Sequence, residues 1–166
     1  DQATTKALGS RVQLWIVPKG TAVWMHRYCE IPYHRMVEME WWETLRLEQV
    51  QQKWQVMEHT ALQDHADCHP VLKDETSDSL YITSCPAQHW AGRTLWDRNY
   101  PLWTSFACFL PLANQHPHFG VYHAGDTALP AHFPLVQQIA DYWQHRPMDL
   151  CLLPIGAYSP TELCAD

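Results

Sequence analysis

Two short apolar runs in this chain each open into a polar loop, and each loop carries a side chain suited to holding a metal ion. Tyr81-Ile82-Thr83 leads toward His89, and Phe119-Gly120-Val121-Tyr122 leads into Asp126. Runs of this length, rich in β-branched and aromatic residues and bounded by turn formers, have the signature of strands. Polar residues just past a strand end are where α/β proteins place their sites. An imidazole and a carboxylate together suit a borderline or hard divalent cation such as zinc. One His and one Asp are also the ordinary content of a polar surface, and the residues alone leave both readings open.

The rest of the chain supplies the alternation of an α/β fold. Residues 1–10 are polar and are expected to fray. Val12 to Val17 reads as a strand stopped by Pro18, and Lys19-Gly20 as a turn. Thr21 can cap a short helix through about Tyr28, with Val23, Trp24 and Arg27 within a turn of each other. Met36 to Met39 reads as a strand continuing into Trp41 and Trp42, and Thr44 to Leu47 as a half-buried strand. Residues 48–79 break the rhythm. Val50, Trp54, Met57 and Leu62 could mark one helix face, and a solvated helix or an unstructured loop is the plain expectation. Strands resume at Leu80 to Ser84, Leu102 to Leu110 and Phe119 to Tyr122. Phe133, Val136, Ala140 and Trp143 give a helix over 133–145, and Asp149 to Leu153 reads as a buried strand.

Composition narrows the class. The chain has 166 residues, 46% hydrophobic and 17% charged, enough for a core and unlike a disordered chain. A net charge of −7 argues against a nucleic-acid partner. The longest apolar stretch, Leu102 to Ala113, is too short to cross a membrane and is interrupted by Thr104 and Ser105. Six cysteines without a C-x-x-C pair read as buried free thiols in a reducing, intracellular compartment.

The motifs Pro86-Ala87-Gln88-His89-Trp90, Gly92 to Asn99 (GRTLWDRN), Ala124-Gly125-Asp126-Thr127 and Leu152 to Tyr158 (LLPIGAY) stand in an order and spacing that resemble the N-acyl-phosphatidylethanolamine-hydrolysing phospholipase D family. The resemblance reaches more loosely to Trp15-Ile16-Val17-Pro18 and Glu38 to Trp42, and passes over about thirty residues after Leu47. It implies an α/β fold, the C-terminal-side portion of a metallo-β-lactamase αββα sandwich, filling residues 1–166 with an insertion at about 48–79. It implies two zinc ions, with His89 a ligand of the first and Asp126 the bridging carboxylate. A metal-bound hydroxide is then the nucleophile, and no side chain serves as one. The implied partners are a phospholipid substrate and a membrane surface, with peripheral association, and a homodimer is allowed.

The residues around the motif carry weaker signals. Gly125 lets the backbone pass close to an ion, and Thr127 can hydrogen-bond the carboxylate. Gln88 is equally a polar strand-end residue. Arg93 and Arg98 suit a phosphate, though an ion pair with Asp97 is the plainer reading. Trp90, Trp96 and Trp103 read as packing residues first. Asp64 to His69 superficially resembles the family's His-x-His-x-Asp-His signature, but the order differs and no strand leads into it. The signature itself is expected upstream of Asp1 and the last histidine ligand beyond Asp166, so the chain reads as a piece of a longer protein, inactive alone. Two rival readings remain: a non-catalytic interaction protein of this fold, and a superfamily hydrolase acting on a lactone or another phosphoester.

Overall fold

The computed structural model describes residues 2–61, 79–87, 102–111, 118–127, 137–138, 143 and 148–154. The N-terminus folds where fraying was expected. Helix α1 (Gln2–Gly9) is built from good helix formers such as Ala3, Lys6, Ala7 and Leu8. It is tied to the next helix: Gln2 Nε2 donates to the Tyr28 carbonyl at 2.8 Å, and Lys6 lies 3.5 Å from Glu30. Gly9 is buried, and a Cβ there would come within 2.9 Å of Ile31 Cδ1.

Strand β1 (Trp15–Pro18), helix α2 (Ala22–Cys29) and strand β2 (Met36–Met39) form a βαβ unit. The two strands are parallel, from Trp15 opposite Met36 to Pro18 opposite Met39. Thr21 stands at the N-cap, but its side chain makes no capping bond. The Glu38 carboxylate from β2 takes the Ala22 N–H instead, at 2.7 Å, bringing negative charge to the positive end of the helix. The buried face of α2 is Ala22, Met25 and Cys29, and Val23 is exposed.

The chain then turns rather than continuing as a strand through Trp41 and Trp42. Trp42 has a φ of 66°, and its N–H bonds the Ser84 carbonyl at 2.6 Å. Strand β3 (Thr44–Val50) pairs with β4 (Lys53–Thr60) as an antiparallel hairpin, with a bulge between Arg46 and Leu47. Residues 48–60 are therefore strand and turn, neither helix nor loop. The turn residues Gln51 and Gln52 both have positive φ, 50° and 63°, as a two-residue hairpin turn requires. All of β4 is exposed. The remainder of the expected 48–79 insertion lies outside the described residues, apart from Ala61 and Ser79.

Strands β5 (Leu80–Pro86), β6 (Thr104–Pro111), β7 (His118–His123) and β8 (Leu150–Leu152) complete, among the described residues, a six-stranded sheet in the order β4-β3-β5-β6-β7-β8. Every pair is antiparallel except β7–β8. Strand β8 was expected to be buried. It is an edge strand, with Leu150, Cys151 and Leu152 all exposed.

The two faces of this sheet divide the core. Leu45, Leu47, Leu80, Ile82 and Phe106 pack against Ile16, Val37 and Met39 of the smaller sheet and against Leu14 just before it. On the smaller sheet's far side, Trp15, Val17 and Met36 meet Met25 and Cys29 of α2. Tyr81, Cys85, Ala107, Phe109, Tyr122 and Ala124 line the opposite face of the large sheet, where Trp143 covers them. The expected helix over 133–145 lies mostly outside the described residues, and Gln137 and Gln138 are helical. Helices, small sheet, large sheet and the Trp143 layer follow one another. This mixed α/β, strand-rich order is compatible with part of a metallo-β-lactamase-like sandwich. No helix among the described residues is long and apolar enough to cross a membrane.

Candidate functional site

The strand directions bring six carboxyl ends to one edge among the described residues, that of β4 included, since β4 and β5 are each antiparallel to β3. Because β5 and β7 are each antiparallel to β6, they end on the same side, and β8, parallel to β7, ends there too. Asp126 lies three residues past the end of β7, and His89 lies three past the end of β5 in sequence. Strands β1 and β2 end on this side as well, since the Lys19 N–H bonds the Met39 carbonyl and the Leu102 N–H bonds the Lys19 carbonyl.

Asp126 is exposed. It is delivered by Gly125, whose φ of 66° turns the chain as it leaves β7 beside the Thr104 carbonyl. The Ala124 N–H donates to the Leu152 carbonyl at 3.0 Å, which fastens the loop to β8. His89, Gln88, Trp90, Arg93, Trp96, Arg98 and the segment 64–69 lie outside the described residues. Among the described residues, no three His, Cys, Asp or Glu side chains gather into a metal-holding group. The exposed Asp126 carboxylate fits one ligand position, and the described residues by themselves do not complete a centre.

Around Asp126 the edge is polar inside and aromatic outside. Ser105, fully buried, donates its hydroxyl to the Pro86 carbonyl at 3.1 Å, with the Cys85 carbonyl at 3.4 Å. The Tyr122 hydroxyl donates to Ser105 Oγ at 3.1 Å. Burial pushes the Tyr122 phenol up, and the Ser105 bond opposes this only in part, so the phenol keeps a proton to donate. Two further buried hydroxyls, Ser84 Oγ and Thr104 Oγ1, have no hydrogen-bond partner among the described residues.

Trp41 donates its indole N–H to the Trp103 carbonyl at 2.7 Å, and the two rings meet edge to face with centroids 6.0 Å apart. Trp103 is thus a packing residue, as expected. Lys19 pairs with Glu40, and that bond and charge hold its ammonium above the usual lysine range. His59 Nε2 lies 3.0 Å from Glu43 Oε2, which also accepts the Glu40 N–H at 2.8 Å.

Sequence reasoning placed Asp126 at a strand-to-loop junction, and the structure does the same. It missed Ser105 and Tyr122, whose link spans neighbouring strands. The one available signal was a serine interrupting the apolar run from Leu102 to Ala113.

No family model matches the chain. Over 153 residues, 92% of its length, it is 30% identical to the mitochondrial N-acyl-phosphatidylethanolamine-hydrolysing phospholipase D of Saccharomyces cerevisiae, and the match covers 25% of that protein. Over 82 residues, 49% of the chain, it is 43% identical to uncharacterised proteins of Mycobacterium bovis and Mycobacterium tuberculosis, covering 19% of each. The chain thus spans a quarter or less of the curated relatives it matches, and its relationship to the yeast enzyme is a distant one.

Proposed function

We propose that this chain is part of a zinc-dependent phosphodiesterase of phospholipase D type, which hydrolyses N-acyl-phosphatidylethanolamine to N-acylethanolamine and phosphatidic acid. The observation that carries the proposal is the 30% identity to the yeast enzyme across 92% of the chain. The position of Asp126 beside the ends of β5 and β8 supports it. In this reading Asp126 and His89 are metal ligands, and the other ligands come from segments beyond this chain. Bound zinc supplies a Lewis acid for the phosphoryl oxygen and lowers the pKa of water. The oxygen of water joins phosphorus, the bond from phosphorus to the N-acylethanolamine oxygen breaks, and that oxygen takes up a proton. The chain's own part is to hold Asp126 at the edge through Gly125 and the Ala124–Leu152 bond. A bilayer lipid as substrate entails contact with a membrane surface, and a homodimer fits the same reading.

The test uses the full-length protein, its Asp126→Ala and His89→Ala variants, and vesicles containing N-acyl-phosphatidylethanolamine. Released N-acylethanolamine and bound zinc are measured together. The wild type should release product and carry zinc, and each variant should lose at least a hundredfold in rate along with metal. Turnover of a lactone or another phosphoester in preference to this lipid would overturn the substrate assignment. Full activity in Asp126→Ala would overturn the site.

A further inference from the structure

We infer that Ser105, held by Tyr122, is a positioning residue that sets how far the end of β7, with Asp126, stands from the end of β5. The inference rests on the proposed reading of Asp126 and His89 as metal ligands. Strand β6 lies between β5 and β7, and its first two residues touch both neighbours at the point where each leaves the sheet. On the β5 side, Ser105 Oγ donates to the Pro86 carbonyl at 3.1 Å, at the last residue of that strand. On the β7 side, the Thr104 carbonyl faces Gly125, one residue before Asp126.

The backbone ladder alone does not reach this far. Between β6 and β7 the last register pair is Phe106 with His123, two residues short of Gly125. The bond from Tyr122 Oη to Ser105 Oγ, 3.1 Å, carries the connection past that pair. The phenol donates to Ser105 Oγ, and Ser105 donates onward to the Pro86 carbonyl, which can only accept. The chain Tyr122–Ser105–Pro86 therefore links the two strand ends through side chains at the level where their loops begin. Ser84 and Thr104, whose hydroxyls are buried nearby, make no such link among the described residues.

Amide hydrogen exchange of the full-length, metal-free protein tests this directly. Ser105→Ala should speed exchange at Ala87, Gly125 and Asp126 by about fivefold, the worth of one hydrogen bond, while Leu45 and Leu47 of β3 stay unchanged. Tyr122→Phe leaves the Ser105 hydroxyl free to bond Pro86, so it should speed Gly125 and Asp126 and spare Ala87. A uniform rise across β3 and these sites in both variants would mean simple destabilisation and would overturn the inference. Cobalt(II) substitution supplies the second readout. The visible band of the wild type should shift in both variants and vanish in Asp126→Ala. An unchanged band in Ser105→Ala would also overturn the inference. A wild-type protein that takes up no cobalt would sink the metal reading instead, and the exchange pattern would then decide the positioning role alone.

Discussion

Gly125 and Thr104 meet where β7 leaves the sheet: a Cβ on Gly125 would lie 3.5 Å from the Thr104 carbonyl oxygen. That is ordinary contact, so the need for glycine comes from its φ of 66°. Gly125→Ala should cost about 1–2 kcal/mol in urea unfolding, the cost of a left-handed L-residue. Gly125→Asn should cost less, because asparagine enters that region more readily. Equal stability of the alanine variant and the wild type would show that the turn had changed conformation.

The hairpin turn offers the opposite opportunity. Gln51 and Gln52 both sit at positive φ without the residues that favour it. Replacing Gln51→Asn and Gln52→Gly together should raise stability by roughly 1–2 kcal/mol, since Asn-Gly suits a turn with two positive φ angles. A denaturation midpoint that falls would mean that the two glutamine side chains make compensating contacts.

Trp143 should be the most costly single residue to truncate among those described. It is 2% exposed, and its ring lies 4.0 Å from that of Phe109. Trp143→Ala should destabilise by about 3–5 kcal/mol, as for large aromatic residues in cores. Trp143→Phe should lose much less. Unfolding followed by circular dichroism distinguishes the two.

The thiols predict both reactivity and an alkaline limit. Burial pushes the Cys108 thiol up to about 11 and Cys85 further still, from an ordinary value of 9.0. Above pH 9 the unfolded chain gives up these protons and the folded chain keeps them. The Cys108 contribution is therefore full below pH 9 and is lost as pH rises through about 11, and that of Cys85 goes on falling above it. Urea midpoints should fall between pH 9 and 11, and less steeply in Cys108→Ala. At pH 8 iodoacetamide should modify exposed Cys151 well before buried Cys29 and Cys85, as read by peptide mass spectrometry.

Local chemistry explains what was legible in the sequence. Strands β5, β6 and β7 carry dense β-branched and aromatic residues, and Asp126 follows one of them directly. Helix α2 was legible as a helix, but its buried face depends on how β1 and β2 pair beneath it. Strand β4 was hidden because its turn is Gln51-Gln52, with no Gly or Asn to mark it. Helix α1 was hidden because its polar residues form a partner surface for Tyr28 and Glu30, far along the chain. Leu150 to Leu153 read as buried because they are apolar. Their exposure follows from sheet order, which no short window contains. The link from Ser105 to Tyr122 is of the same kind, created only when β6 and β7 align.

The hairpin has a topological consequence for how this chain can change. Strands β4 and β5 run in the same direction with β3 between them, so Thr60, level with Thr44, and Leu80, opposite Leu47, are separated by three residues along the strands and by the width of β3. Three residues along the strands is about 10 Å at ~3.3 Å per residue, and two strand spacings add about 10 Å across, a separation that no tight turn can bridge. Strands β3 and β5, by contrast, are antiparallel neighbours, with Leu47 opposite Leu80. A deletion that removes β4 together with its whole return path would leave two strands that a tight turn can join. A deletion that keeps β4 but shortens the return below that span would tear the hairpin from the sheet. The edge strand and its return path thus form a cassette that is gained or lost as one piece, and Asp126 lies four strands away from it.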